Sequence, residues 1–283
     1  MSENEMSEEG VLEDARPPSA TCFAPALADL LRTVADPALT EDLALALLKH
    51  ADLPSEVLEQ LAKNSNALKT RKVRIALASH GHTPRHVSVP LARQFYTFDL
   101  MKVALSPGVP ADVKVAVDDI LIARLEMVTV GERLTLARRA SGRVAAALLL
   151  EEENPGRKND RQNGRKNDRE HHHQAKTAEA VARATRVMRC ALENPHLTES
   201  LVIHAVLERA AGAALVHAVA QHEKWSRRRE IRAALLRTEH LSLARALEFS
   251  REISTARLQE LLSSSPLPAK IKEQLLRQKN ETT

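Results

Sequence analysis

Aromatic side chains are nearly absent from this chain: one Trp, one Tyr and four Phe among 283 residues. Strand-built folds draw on aromatic and β-branched residues to fill their pleated faces, so a β-sandwich is disfavoured. Glycine is almost as scarce, at eight residues, and most tight hairpin turns need it. The two cysteines, Cys22 and Cys190, lie far apart with no CxxC pair. That supports neither a disulfide framework nor a cysteine-based zinc site, and it suits a reduced, cytoplasmic setting. The longest clean apolar run, Val144 to Leu150, falls far short of the roughly 20 residues that span a bilayer. The opening MSENEMSEEG is acidic and polar, unlike a secretory signal. The glycines never fall in GxGxxG or GxxxxGK spacing, and no GxSxG or HExxH occurs. These absences point away from an enzyme, a cofactor, a small-molecule substrate and a membrane span.

What is present is Ala, Leu, Val and Ile, within a hydrophobic share of 43%. Small and aliphatic side chains let helix axes approach closely. The formal net charge is +4, unevenly spread. Residues 1–16 carry six acids and one base, leaving 40 bases against 31 acids in the remainder. A basic body can attract nucleic acid or an acidic partner, and it also matches an ordinary solvated surface.

One phrase recurs. A small or polar residue followed by Leu occurs at Ala46, Ala76, Ala104, Ala191, Ala234 and Glu260, at spacings of 30, 28, 87, 43 and 26 residues. Eight residues on stand Pro54, Pro84, Asp112, Glu199, Ser242 and Pro268, all good helix starters. Eleven on stand Val57, Val87, Val115, Val202, Arg245 and Ile271, five of them apolar. The pattern predicts a helix that ends at the Leu, a polar turn, and a second helix whose buried stripe opens at the Val. Thr83 and Thr198 are expected to cap the following helices. A fixed period with two helices per unit predicts an all-α solenoid of stacked helix pairs, because one pair cannot bury its own apolar face.

The ALxNPxxT phrase at Ala191–Thr198 and the paired Ala/Leu helices resemble HEAT-like repeats and the leucine-rich repeat variant, over about Leu43 to Leu276. The resemblance implies a right-handed superhelix and a scaffold, protein-binding or nucleic-acid-binding role; a HEAT-like subset are DNA glycosylases. Some leucine-rich repeat variant proteins carry clustered cysteines for an iron–sulfur group, and this chain has no such cluster. The run TLARRASGRVAAALL (Thr135–Leu149) also resembles a bacterial family, a likeness that implies no activity.

The expected organisation is an acidic disordered tail over 1–22, helical repeats over 23–150, a polar insert loop over 151–178, further repeats over 179–277, and a frayed end over 278–283. The insert carries the unit GRKNDR twice, at Gly156 and Gly164, with no apolar residue to offset ordering entropy. His171 to His173 fall within it.

Candidate chemistry is sparse. His80, His82 and His86 lack a defined ligand geometry, and His80 shares its repeat slot with His50 and Pro195, so no metal is expected. Asp118 and Asp119 project about 100° apart on a helix, one toward solvent and one toward Arg124 or Lys114. Asp99 is expected to cap a helix over Met101–Leu105, with Phe95, Tyr96 and Phe98 as a core plug. The stretch HEKWSRRREIRAALLR stands out, with Lys224, Trp225, Arg227, Arg228, Arg229 and Arg232 as candidate binding residues. On one helix capped by Ser226, Arg228 and Arg232 would share a face and contact phosphates, while Trp225 stacks on a base. The alternative for that stretch is a solvated face with the indole wedged inward. The functional expectation is a non-enzymatic scaffold that binds a protein partner on its concave surface. A nucleic-acid binder using Arg227–Arg232 is the other reading.

Overall fold

The computed structural model describes residues 23–151, 170–208 and 211–282. Among these residues the chain is all helical, with seventeen α-helices, two single-turn 3-10 helices and no strand. It divides into two compact units, residues 1–87 and 88–283. The first holds α1 (Phe23–Ala35), α2 (Glu41–Leu47), α3 (Ser55–Lys63) and α4 (Arg71–Ala78), and α5 (Arg85–Ala92) carries the division.

The second unit continues with α6 (Thr97–Leu105), α7 (Ala111–Ala123), α8 (Val130–Arg139), α9 (Gly142–Glu151) and α10 (Glu170–Leu192). Then come α11 (Glu199–Leu207), α12 (Ala213–Gln221), the one-turn α13 (Glu223–Ser226) and α14 (Arg229–Leu235). The chain closes with α15 (Leu243–Ser250), α16 (Thr255–Ser263) and α17 (Ala269–Thr282).

The recurring phrase marks real boundaries. Its Leu positions fall at or near the ends of α2, α4, α6, α10, α14 and α16. The positions eight residues on lie within one residue of the starts of α3, α5, α7, α11, α15 and α17. Thr198 caps α11 by accepting the Leu201 N–H. Thr83 instead closes the helix before it, donating its hydroxyl to the Leu77 carbonyl at 2.7 Å.

Inside each unit, helices pack against their neighbours, as α6 does on α7, and against the helix two places on. In the first unit α1 packs on α3 and α2 on α4; in the second α7 packs on α9, α8 on α10, and α15 on α17. Leu, Val and Ala fill these contacts, with Leu58, Leu61, Val73 and Leu77 buried in the first unit and Leu121, Leu136, Leu148 and Val202 in the second. This close stacking leaves a polar problem at each helix end, where the last carbonyls have no partner inside the helix.

A side chain from the later helix end solves it. Asn64 Nδ2 donates to the Val34 and Asp36 carbonyls, both at 2.9 Å. His80 Nε2 donates to the His50 carbonyl 30 residues back, Arg124 Nη1 to Phe95 29 back, and Ser265 Oγ to Leu236 29 back. Asn194 Nδ2 donates to the Ala137 and Ala140 carbonyls, 57 and 54 residues back.

Several expectations are corrected. The expected insert lies outside the described residues only over 152–169; its last part, 170–178, is helical and extends α10 toward the N-terminus. His171 to His173 therefore lie on a helix rather than in a loop. Helix α17 continues to Thr282, past the boundary expected at 278. The boundary between the compact units falls at Val87/Ser88. The expected tail at 1–22 lies outside the described residues.

Candidate functional site

The stretch His222–Arg237 is two helices, not one. The short α13 ends at Ser226, and α14 starts at Arg229 with Arg228 as its N-cap residue. Ser226 is therefore not the cap; its carbonyl instead accepts from Arg232 Nε at 2.6 Å. The cap of α13 is His222, whose ring Nδ1 accepts the Lys224 N–H at 3.2 Å. The break between the helices separates Arg228 from the helix face that carries Arg232.

Trp225 is 2% exposed, and its indole N–H donates to the Leu192 carbonyl at 2.8 Å. A buried ring that spends its only donor on the end of α10 presents no face to a nucleobase. It is one more rung of the ladder, 33 residues after its acceptor. Lys224 Nζ lies 4.2 Å from the centre of that ring. Arg227 pairs with Glu223 at 2.9 Å, and Arg228 with Glu199 at 3.5 Å. Arg232 is paired with Glu252 and lies over the Phe249 ring. Arg229 is exposed in the first turn of α14. Most of the predicted site residues are thus engaged within the protein, and the indole is absorbed by the core.

The histidines have similar uses. His80 is buried; its Nδ1 accepts the His82 N–H, which leaves Nε2 as the donor to His50. With both nitrogens occupied, that ring has no lone pair for a metal. His82 Nδ1 donates to the Leu53 carbonyl at 2.9 Å, and His86 faces Glu59 at 3.5 Å.

The two adjacent aspartates separate as expected, with different partners. Asp119 pairs with Arg143 at 2.8 Å rather than with Arg124 or Lys114. Asp118 is 4% exposed, and its Oδ1 has no hydrogen-bond partner. Burial pushes its carboxyl above the usual carboxylate range, against the opposing pull of the Ser141 hydroxyl and the Arg143 charge. Asp99 is not the cap of its helix: it sits buried in the first turn of α6, after Tyr96 at the cap.

The expected aromatic plug divides. Phe95 is core, but Tyr96 is 71% exposed and Phe98 lies at the surface. Met127 is the most exposed large apolar side chain among the described residues, at 87%. Arg124 connects these positions. Its guanidinium donates to the Phe95 and Arg93 carbonyls, beside Tyr96, and its own carbonyl accepts the Met127 N–H at 2.9 Å. Tyr96 and Met127 thus stand on neighbouring turns of successive helix pairs. Val115 and Val130 are also exposed in this unit. Tyr96 and Met127 lie outside the helical periodicity that marks a buried stripe, whereas Val115, expected to open such a stripe, is exposed on α7.

No helix among the described residues is long and apolar enough to cross a membrane. No protein-family model, curated protein or solved structure matches the chain.

Proposed function

We propose that this chain is an α-solenoid of HEAT-like or leucine-rich-repeat-variant helix pairs, acting as a non-enzymatic scaffold for a protein partner. The observation that carries the reading is the ladder of side-chain donors that ties a helix end to the helix end about one repeat earlier, at Asn64, His80, Arg124 and Ser265. A repeated rung means a repeated unit, and stacked units bury jointly what one cannot bury alone. Within the second unit the turns between stacked helices expose Tyr96 and Met127.

Aromatic and Met side chains are enriched where proteins meet, and burying each contributes about 1.5–3 kcal/mol. Two of them on adjacent turns, held by Arg124, make a partner-binding ridge. The test is affinity capture from nuclease-treated lysate with the wild-type chain and with Y96S/M127S. The reading expects a protein retained by the wild type and lost from the variant, with direct binding weakened more than tenfold. Equal retention by both removes the ridge; retention only without nuclease removes the scaffold reading.

A further inference from the structure

We propose that the C-terminal turns of α8 and α10 form a second surface, one that binds the phosphate backbone of duplex nucleic acid through Arg138, Arg139, Arg186 and Arg189. This surface is separate from the Lys224–Arg232 segment and independent of the Tyr96–Met127 ridge.

The geometry rests on how the two helix ends lie in register. Asn194 ties the end of α10 to the Ala137 and Ala140 carbonyls at the end of α8. Arg138 Nε reaches Cys190 Sγ at 3.3 Å. Cys190 is the neighbour of Arg189 in sequence and lies four residues, about one helical turn, after Arg186. Arg138 on α8 and Arg186 and Arg189 on α10 are therefore gathered at adjoining helix ends, with Arg139 next to Arg138 in the same last turn, and all four are exposed.

The arginines of this unit fall into two groups, matched and unmatched, and only the latter at α8 and α10 come together at packed helix ends. Arg143, Arg227, Arg228, Arg232, Arg245 and Arg257 each pair with a carboxylate. Arg139, Arg186 and Arg189, like the scattered Arg93, Arg229, Arg237 and Arg251, have no carboxylate within ion-pair distance among the described residues. One acid, Glu193, acts on Arg138 from a distance. A helix C-terminus favours a cation in its last turn. That accounts for Arg138 or Arg139 on α8 and Arg189 on α10, but not for Arg186, which stands further back. Packed helices lie about 8–10 Å apart, so these like charges repel one another. A polyanion laid across both helix ends relieves that repulsion.

Duplex nucleic acid supplies one charge per roughly 1.7 Å of axis, and guanidinium forks match phosphate oxygens. Neither α8 nor α10 carries Phe, Tyr or Trp, so the surface has no stacking platform of the kind single-strand binders use. Contact through phosphates alone makes binding insensitive to sequence.

The experiment measures binding of the full chain to a labelled 20-base-pair duplex of arbitrary sequence, from about 50 to 200 mM salt. It compares wild type, R139Q/R186Q/R189Q, and a control, R32Q/R245Q/R257Q, which loses the same three charges elsewhere. Arg138 is left in place because it also contacts Cys190. The expected result is steeply salt-dependent binding by wild type and control. The first variant binds at least tenfold more weakly, with a log–log salt slope shallower by about 2–3, since each lost contact removes about 0.9. R139Q alone, expected to weaken binding by a smaller factor, serves if the triple variant does not fold. Four outcomes overturn the proposal: no binding by wild type at low salt, equal losses in both triple variants, single strand preferred to duplex, or competition by poly-glutamate equal to that by duplex.

Discussion

Asn194 Nδ2 lies 2.8 Å from the carbonyl oxygen of Ala137, across a separation of 57 residues. The same amide donates to Ala140, and its Oδ1 accepts the His196 N–H at 2.7 Å. One fully buried side chain thus caps the end of α8, shapes its own turn, and carries the packing past residues 152–169. Asn64 does the same work in the first unit, where its Oδ1 accepts from Asn66 and Ala67.

Replacing Asn194 by Ala strands two buried carbonyls and one backbone N–H. Leaving buried polar groups unmade costs about 1–3 kcal/mol each. The expected loss for N194A is about 2–4 kcal/mol, allowing for partial relaxation, read from urea unfolding. A loss below half a kcal/mol, on the order of an ordinary surface substitution, would contradict this role.

Gly142, at the start of α9, makes the complementary contact. A Cβ built there would lie 2.2 Å from the His196 carbonyl oxygen and 2.9 Å from Leu201 Cδ1. The first obstacle is backbone, which yields only if α9 and the Asn194 turn move apart. G142A is expected to destabilise by about 1–3 kcal/mol, the usual cost of overpacking. G131A, where nothing lies within 4 Å, is the matched control and should be neutral or stabilising.

Asp118 sets a pH dependence. Burial raises its folded-state pKa above the unfolded value of 3.8, so the native chain holds the proton longer than the unfolded one. Stability from this group is therefore greatest at acid pH and falls as pH rises through the window above 3.8. D118N keeps the shape without the charge. The variant should gain on wild type at pH 7 and lose that advantage near pH 4 in thermal melts taken across the range. A constant difference at every pH would refute the assignment.

His222 works in the opposite sense. Burial, helped by the Lys224 charge, holds its pKa below 6.5, although Glu193 and Glu223 pull the other way. The unfolded chain then takes up the proton first, so stability from this group is present above 6.5 and lost as pH falls through the window beneath it. The geometry agrees, since Nδ1 caps α13 only when neutral. H222N retains a capping oxygen that does not titrate. The wild-type-minus-variant difference in unfolding midpoint should fall between about pH 7 and 5; a flat difference would show that His222 does not govern it.

Element boundaries were readable without a structure because they depend on local chemistry. Pro54, Thr198 and Ser242 start helices wherever their neighbours alternate at helical spacing, and the Ala-Leu pairs end them. The all-helical class followed from the same residues and from the lack of aromatics and glycine. The candidate site was not readable in that way. For Trp225 and the nearby cations, local sequence left two readings open, an exposed basic aromatic surface and a solvated face with the indole wedged inward. Tertiary packing sent the indole to the Leu192 carbonyl and matched Arg227, Arg228 and Arg232 with acids, including Glu199 on α11 and Glu252 in the turn after α15.

Local sequence determined where this chain turns helical and where it stops, since caps, prolines and apolar periodicity act within a few residues. Tertiary structure alone decided which cations remain unmatched and which turn residues reach a carbonyl about 30 positions away. Helix stacking brings together groups that are distant in sequence. Whether Arg186 meets a carboxylate, or Asn194 a carbonyl, is a property of the neighbouring helix and not of the residues beside it.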